Sequence, residues 1–260
     1  MGRLNLYVHY DSVTNHFMTR GITMTVKDFS QQYLPQNIIL ANAPEEFGRF
    51  DAQTDFKILR GQGEVFDYID LCHKEQRRMS NWIDFDSIEM MHQLTPYEIS
   101  ELLYLFHANK ALRSPFFYKL QNNYVYLTMP NGLTKTYYRH MVHFYPRFQR
   151  SISEHMEEML NENVHWLMRR KHKVSPLPLE IVERLSPLFM NGLKIDFKQA
   201  YAIHNDWYLP LYIIEDELTH LTRALPKDLQ IGELIYQENL SSWNLKNKII
   251  SSKNDMEEQS

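Results

Sequence analysis

The chain has 260 residues, of which 43% are hydrophobic and 23% are charged, and its formal net charge at pH 7 is -4. These values are typical of a globular protein that buries a substantial core, and they exclude the collagen-like, coiled-coil and strongly disordered classes. The slight excess of acidic residues also argues against a uniformly basic surface for nucleic acid, although it leaves local basic patches open.

Absent motifs narrow the function classes further. Cys72 is the only cysteine, which excludes an intrachain disulfide and a thiolate zinc site. The sequence contains no Gly-Lys-Ser/Thr, Gly-x-Ser-x-Gly or His-Glu-x-x-His motif, so the standard phosphate loop and the commonest hydrolase signatures are missing. No cofactor is identified, and the sequence leaves open whether the protein is an enzyme.

Hydropathy favours a cytoplasmic location. The first six residues alternate apolar and polar side chains and lack the apolar core of a signal peptide. No apolar run approaches the roughly 18 to 20 residues that a membrane-spanning helix needs. We therefore expect a cytoplasmic protein that has no membrane partner.

The first eighty residues predict a small mixed α/β region. Alternation of apolar and polar side chains predicts strands over 4–10 and 22–26, and shorter apolar stretches predict strands at 38–40 and 56–59. Two helices are also predicted, a short one over 28–33 and a longer one over 64–79.

Helical signals dominate after residue 80. Thr95, Pro96 and Glu98 form a capping box that predicts a helix reaching about residue 111. Aromatic and β-branched residues on either side of Pro130-Asn131-Gly132 predict a β-hairpin. Further helices are predicted over 148–170, 180–190 and 215–223.

These patterns together predict an α+β fold with a small mixed amino-terminal region and a larger helical region that carries aromatic strands or hairpins. The predicted segments are a mixed region at 1–80, a mainly helical region at 81–240 and a polar, flexible tail at 241–260. A shift of 82 positions aligns 96–129 with 178–211 and indicates an internal duplication. Two unrelated helix starts with the same capping chemistry are the alternative interpretation.

A run of cations and aromatic rings over 135–150 is the densest candidate for a binding surface, and a second basic run follows at 169–173. Arg and Lys attract phosphates, and aromatic faces stack on bases, so this pattern is typical of single-stranded nucleic-acid binding. The predicted phosphate-binding residues are Arg139, Arg147, Arg150, Arg169, Arg170 and Lys171, and the predicted stacking residues are Tyr138, Tyr145 and Phe148. A third basic run lies around Arg77, and the prediction requires all three runs to converge on one face. Buried rings and solvated helix-end cations are the alternative.

A metal site is a second hypothesis. Glu-x-x-His places a carboxylate and an imidazole one helical turn apart, as in dinuclear carboxylate sites of helical bundles. The motif occurs at Glu89/His92, Glu162/His165 and Glu217/His220, and His155 and Glu158 extend the second of these along the same helix. A charged, solvated helix face is the alternative interpretation.

The sequence therefore favours an intracellular, non-enzymatic binding or regulatory protein whose partner is a nucleic acid or another protein, contacted through an aromatic and basic surface. A metal-dependent enzyme that uses the Glu-x-x-His residues as ligands is the alternative function. In a third hypothesis, aromatic strands bury a homodimer interface.

Overall fold

The structure is a computed structural model. It describes residues 5–30, 32–41, 43–107, 115–129, 132–162, 172–214, 221 and 223–247. Contacts between Cα atoms divide the chain into two compact units. Unit 1 draws on Met1–Tyr10, Thr19–Ile22 and Phe148–Ser260, and unit 2 on Asp11–Met18 and Thr23–Arg147. The predicted division into 1–80, 81–240 and 241–260 stays a prediction.

The described residues hold thirteen strands and five α-helices. The strands are β1 (Leu6–Asp11), β2 (His16–Arg20), β3 (Asn37–Ala41), β4 (Arg49–Phe50), β5 (Lys57–Arg60), β6 (Asn81–Phe85), β7 (Tyr124–Thr128), β8 (Thr134–Tyr138), β9 (Leu193–Ile195), β10 (Tyr201–Ile203), β11 (Asp206–Ile213), β12 (Gln230–Gln237) and β13 (Ser242–Asn247). The helices are α1 (Gly61–Lys74), α2 (Ile88–Met91), α3 (Pro96–His107), α4 (Tyr145–Asn161) and α5 (Leu179–Phe189).

Unit 2 is built on an antiparallel sheet with the strand order β8-β7-β6-β3-β5-β4, so β4 is an edge strand of only two residues. The central strands place Ile39, Ile58 and Ile83 in one apolar cluster with residues of α3. The α3 helix begins as predicted, because Thr95 Oγ1 accepts the Glu98 N–H at 3.3 Å and the Glu98 carboxylate accepts the Thr95 N–H at 2.7 Å.

Helix α1 follows β5 directly and buries one side against β3 and β5 of the unit 2 sheet. Its buried side chains are Val65, Tyr68, Ile69 and Cys72, at the spacing of one helical face. The opposite face of the helix is exposed to solvent. Helix α1 is therefore amphipathic, with one face in the core and the other on the surface.

Unit 1 contains an antiparallel sheet with the order β13-β12-β11-β9-β1, and β10 pairs with β11. Ile195 of β9 lies opposite Leu6 of β1 on one side and Leu211 of β11 on the other. Helices α4 and α5 supply aromatic core residues, with the rings of Phe148 and Phe189 5.0 Å apart. The core of unit 1 therefore combines residues from both ends of the chain.

A fully buried ion pair lies inside unit 1. Lys194 Nζ is 2.9 Å from Asp196 Oδ2, and both side chains are 0% exposed. The lysine also donates to the Arg223 carbonyl at 2.7 Å, and Asp196 Oδ1 accepts the backbone N–H groups of Lys198 and Gln199 at 3.0 Å. Such a pair withstands burial only because these further hydrogen bonds satisfy both charged groups.

The predicted larger helical region is wrong. Eight of the thirteen described strands, β6 to β13, follow residue 80, so antiparallel sheet dominates where helical signals were expected. The capping box and apolar periodicity identified α3, α4 and α5, but they say nothing about the short strands between the helices. The short helix predicted over 28–33 is wrong, since the described residues there hold only the end of a 3₁₀ turn at Val26–Asp28. Several of these strands do not alternate cleanly between apolar and polar residues.

Two local predictions are also corrected. The predicted strand over 22–26 is absent from the described residues, and the strand lies earlier, at β2. Thr25 instead caps a 3₁₀ turn at Val26–Asp28, with the Lys27 N–H donating to its hydroxyl and Asp28 accepting its N–H. The helix predicted over 64–79 begins at Gly61 and ends at Lys74. Most of the helix predicted over 215–223 lies outside the described residues.

The Asp51 carboxylate fixes the turn before β5. Its side chain is 3% exposed and accepts from His92 Nε2 and from the backbone and hydroxyl of Thr54 at 3.0 Å each. Arg60 Nη2 is 3.2 Å away. Burial alone would raise the pKa of Asp51, but the hydrogen bonds from His92, Thr54 and Gln53 outweigh it and lower the pKa to about 2.

We expect Asp51 to make unfolding depend on pH. Because the folded-state pKa of about 2 lies below the usual 3.8, the ionised carboxylate stabilises the fold above pH 4, and this contribution is lost as the pH falls towards 2. Urea unfolding of wild type and Asp51→Asn should differ by on the order of 1 kcal/mol at neutral pH and converge in acid. Asp55→Asn, in the same turn but exposed, is the control. A difference at pH 2 that is as large as at neutral pH would contradict this assignment.

Candidate ligand-binding groove

The predicted stacking rings lie in the interior. Tyr138, Tyr145 and Phe148 are 2%, 8% and 0% exposed, so in this structure they do not offer ring faces to a nucleic-acid base. Arg147 is also 0% exposed. Its guanidinium donates to the Thr136 and Tyr138 hydroxyls at 3.1 and 3.2 Å and to the Thr23 carbonyl at 3.2 Å, so it is engaged in packing within unit 2.

The other predicted phosphate-binding residues that the structure describes, Arg139 and Arg150, are each held by a neighbouring group. Arg139 is exposed, but its Nε and Nη2 both donate to the Asn122 carbonyl, at 2.9 and 2.7 Å. Arg150 is ion-paired with Glu154 one turn along α4. Arg169, Arg170 and Lys171 lie outside the described residues, and the convergence of the three basic runs stays a prediction.

The described residues of the predicted metal site do not come together as a set of ligands. His155 Nδ1 lies 2.8 Å from the Ser151 carbonyl, and Glu158 and Glu162 are exposed. His165, Glu217 and His220 lie outside the described residues. Within the ranges that can be described, no group of three or more His, Cys, Asp or Glu side chains could hold a metal ion. His92 of the remaining Glu-x-x-His motif binds Asp51, as described above.

A groove of about 300 Å³ lies in unit 2 between α1 and the segment that leads into β4. Its size is at the lower end for ligand pockets and suits one side chain or a small ligand. Its lining residues are Glu46, Phe47, Gly48, Arg49, Leu59, Glu64, Asp67, Tyr68 and Leu71. We call this feature the acidic groove.

One wall of the acidic groove is a single stripe of α1. Glu64, Asp67, Tyr68 and Leu71 are spaced i, i+3, i+4 and i+7, which places them along one helix face. The two carboxylates are exposed, whereas Tyr68 is buried and accepts the Ser80 N–H at its hydroxyl, 2.9 Å away. Burial raises the pKa of Tyr68 well above its usual value, so the phenol is neutral.

The opposite wall is held close to the sheet. The ring of Phe47 meets Tyr68 edge to face at 5.0 Å, and Lys57 Nζ donates to the Pro44 carbonyl at 2.5 Å. Gly48 has φ +74°, and a Cβ atom there would lie 2.8 Å from the Ile58 carbonyl oxygen. Glycine is therefore required for the segment to approach β5 this closely.

The groove is negatively charged over an apolar base. Three carboxylates, those of Glu46, Glu64 and Asp67, and the guanidinium of Arg49 line it, while Leu59 and the two aromatic rings supply apolar surface. Glu64 Oε2 also accepts the backbone N–H of Arg60 at 3.0 Å, and this hydrogen bond orients the Glu64 carboxylate at the start of α1. The arrangement matches a ligand with a positive head and an apolar stem.

Comparison with protein-family models, with curated proteins and with solved structures found no match. In the parts of the chain that the structure covers, no helix has the length and apolar character needed to span a bilayer.

Proposed function

We propose that the protein is a binding protein whose acidic groove takes an arginine or lysine side chain of a partner protein. The observation that carries the proposal is the set of three carboxylates around an apolar base, opposed by a single lining arginine. A long cationic side chain fits both parts, because its methylene stem covers apolar surface while its charged head meets the carboxylates.

This proposal assigns the partner to the protein class and not to nucleic acid. The phosphate backbone of a nucleic acid is negative and would be repelled by Glu46, Glu64 and Asp67. The predicted aromatic and basic surface is replaced in the proposal by an aromatic and acidic one, because the rings of the basic run are buried.

A pair of blocked tripeptides tests the groove. We expect acetyl-Gly-Arg-Gly-amide to shift the backbone amide NMR signals of 46–49 and 64–71, and the citrulline analogue, which has the same shape without the charge, to bind more weakly. The affinity for the arginine peptide should fall as salt is added, because the contacts are exposed ion pairs.

Asp67→Asn should weaken binding of the arginine peptide by about two- to fivefold, the effect of one exposed ion pair. Asp70→Asn is the matched control, since Asp70 is on the same helix, pairs with Lys74 at 2.6 Å and does not line the groove. Equal binding of the arginine and citrulline peptides, or equal weakening by both substitutions, would show that the proposal is wrong.

A further inference from the structure

A guanidinium of this chain already contacts the acidic groove. Arg77 lies just beyond α1, where its backbone N–H donates to the Cys72 carbonyl at 2.9 Å. Its Nη1 atom donates to Glu46 Oε1 at 2.6 Å, and its Nε lies 2.5 Å from Glu75 Oε2. Glu46, one of the three groove carboxylates, is therefore already ion-paired with an arginine of the same chain when no partner is bound.

The Arg77 contact is suited to exchange. The side chains of Arg77 and Glu46 are 50% and 56% exposed, and ion pairs that exposed are weak because water competes for both charges. Arg77 also keeps Glu75 as a second partner when Glu46 is released. An incoming arginine could thus replace Arg77 on Glu46 without leaving either guanidinium unpaired.

We propose that Arg77 is an internal competitor that occupies Glu46 and is displaced when the arginine of a partner enters the acidic groove. This inference rests on the proposed function and adds its regulation. It predicts the reverse of an ordinary binding-site substitution, because removal of Arg77 strengthens binding. It also identifies Glu46 as a carboxylate that the partner shares with the chain itself.

The test compares two neighbouring arginines. Arg77→Ala should bind acetyl-Gly-Arg-Gly-amide about two- to fivefold more tightly than wild type, since one exposed ion pair no longer has to be broken. Arg78→Ala removes the same charge one position away, but Arg78 donates to the Met129 carbonyl at 2.8 Å and does not contact a groove carboxylate in the described structure. The control therefore measures the general effect of charge on the affinity.

A second pair of variants isolates the contact itself. In the Glu46→Gln background, Arg77→Ala should leave the affinity unchanged, because the two substitutions act on the same interaction. Thermal unfolding of each variant verifies that the chain is folded.

The outcomes separate this inference from the proposed function. Tighter binding by Arg77→Ala alone, abolished in the Glu46→Gln background, supports the competitor. If wild type prefers the arginine peptide over the citrulline peptide but Arg77→Ala binds no more tightly than Arg78→Ala, the competitor is overturned and the proposed function stands. If neither wild type nor Arg77→Ala distinguishes the two peptides, both are overturned.

Discussion

Replacing Lys194 with methionine is expected to lower the free energy of unfolding by about 3 to 5 kcal/mol, the usual cost of leaving a buried charge without its partner. The methionine fills the volume of the lysine stem, so the loss arises from Asp196 and not from a cavity. That carboxylate would remain 0% exposed and keep only its hydrogen bonds to neutral groups.

Urea unfolding followed by circular dichroism and tryptophan fluorescence measures the effect. Lys198→Met is the matched control, because the Lys198 side chain is exposed and only its backbone N–H contacts Asp196. The double variant Lys194→Met/Asp196→Asn should lose less than Lys194→Met alone, since it removes both charges together. A loss below about 1 kcal/mol in Lys194→Met would place this pair with exposed ion pairs and contradict the expectation.

Arg147→Met is expected to destabilise the protein by about 3 to 5 kcal/mol, because several buried hydrogen-bond partners lose their donor at once. The partners include the hydroxyls of Thr134, Thr136 and Tyr138 and the Thr23 carbonyl. Lysine would not replace arginine here, since a single ammonium cannot reproduce the planar fork that reaches several separate groups.

The same denaturation experiment on Arg78→Met provides the comparison, because Arg78 is exposed and donates to one carbonyl. The result also bears on the nucleic-acid hypothesis, in which Arg147 was to bind a phosphate. If Arg147→Met is as stable to urea as wild type, the guanidinium does not contribute to the stability of the fold and the expectation is wrong.

Local chemistry in the sequence predicted the elements whose signals are contained in a few neighbouring residues. The capping box at Thr95 and Glu98 gave the start of α3 correctly, and turn residues between two runs of β-formers gave the hairpin of β7 and β8. The buried stripe of Phe148, Ile152 and Met156 on α4 also follows the predicted spacing.

The missed strands are those in which the local pattern and the burial disagree. In β12 the residues Gln230 and Gly232 are on the buried side, whereas Ile231 and Ile235 are only half-buried, so hydrophobicity does not mark the inner face. Strand β9 places Lys194 in the interior, where Asp196, two residues along the chain, and the carbonyl of Arg223, far along the chain, satisfy its charge. Tertiary contacts determine that these segments form strands, and those contacts cannot be deduced from a single sequence.

The acidic groove was not predicted for a similar reason. The spacing of Glu64, Asp67 and Leu71 marks one face of α1, which was a detectable signal. However, Glu46 faces that stripe only because the segment before β4 passes close to β5 at Gly48. The spacing of residues in the sequence does not reveal that close approach. In the basic run over 135–150, by contrast, the sequence predicted a binding surface that the structure does not expose. Its alternating rings and cations are typical of an exposed surface, but Tyr138 and Arg147 are buried and hydrogen-bonded to each other.

The pairing of β1 with β9 has a consequence for synthesis of the chain on the ribosome. Leu6 and its partner Ile195 are separated by roughly 190 positions, a very non-local contact. At a translation rate of about 5 to 20 residues per second, β1 waits on the order of 10 to 40 seconds before its partner strand is made. During that interval the edge of β1 that pairs with β9 has no partner, so we expect this apolar strand to need protection from aggregation until β9 emerges.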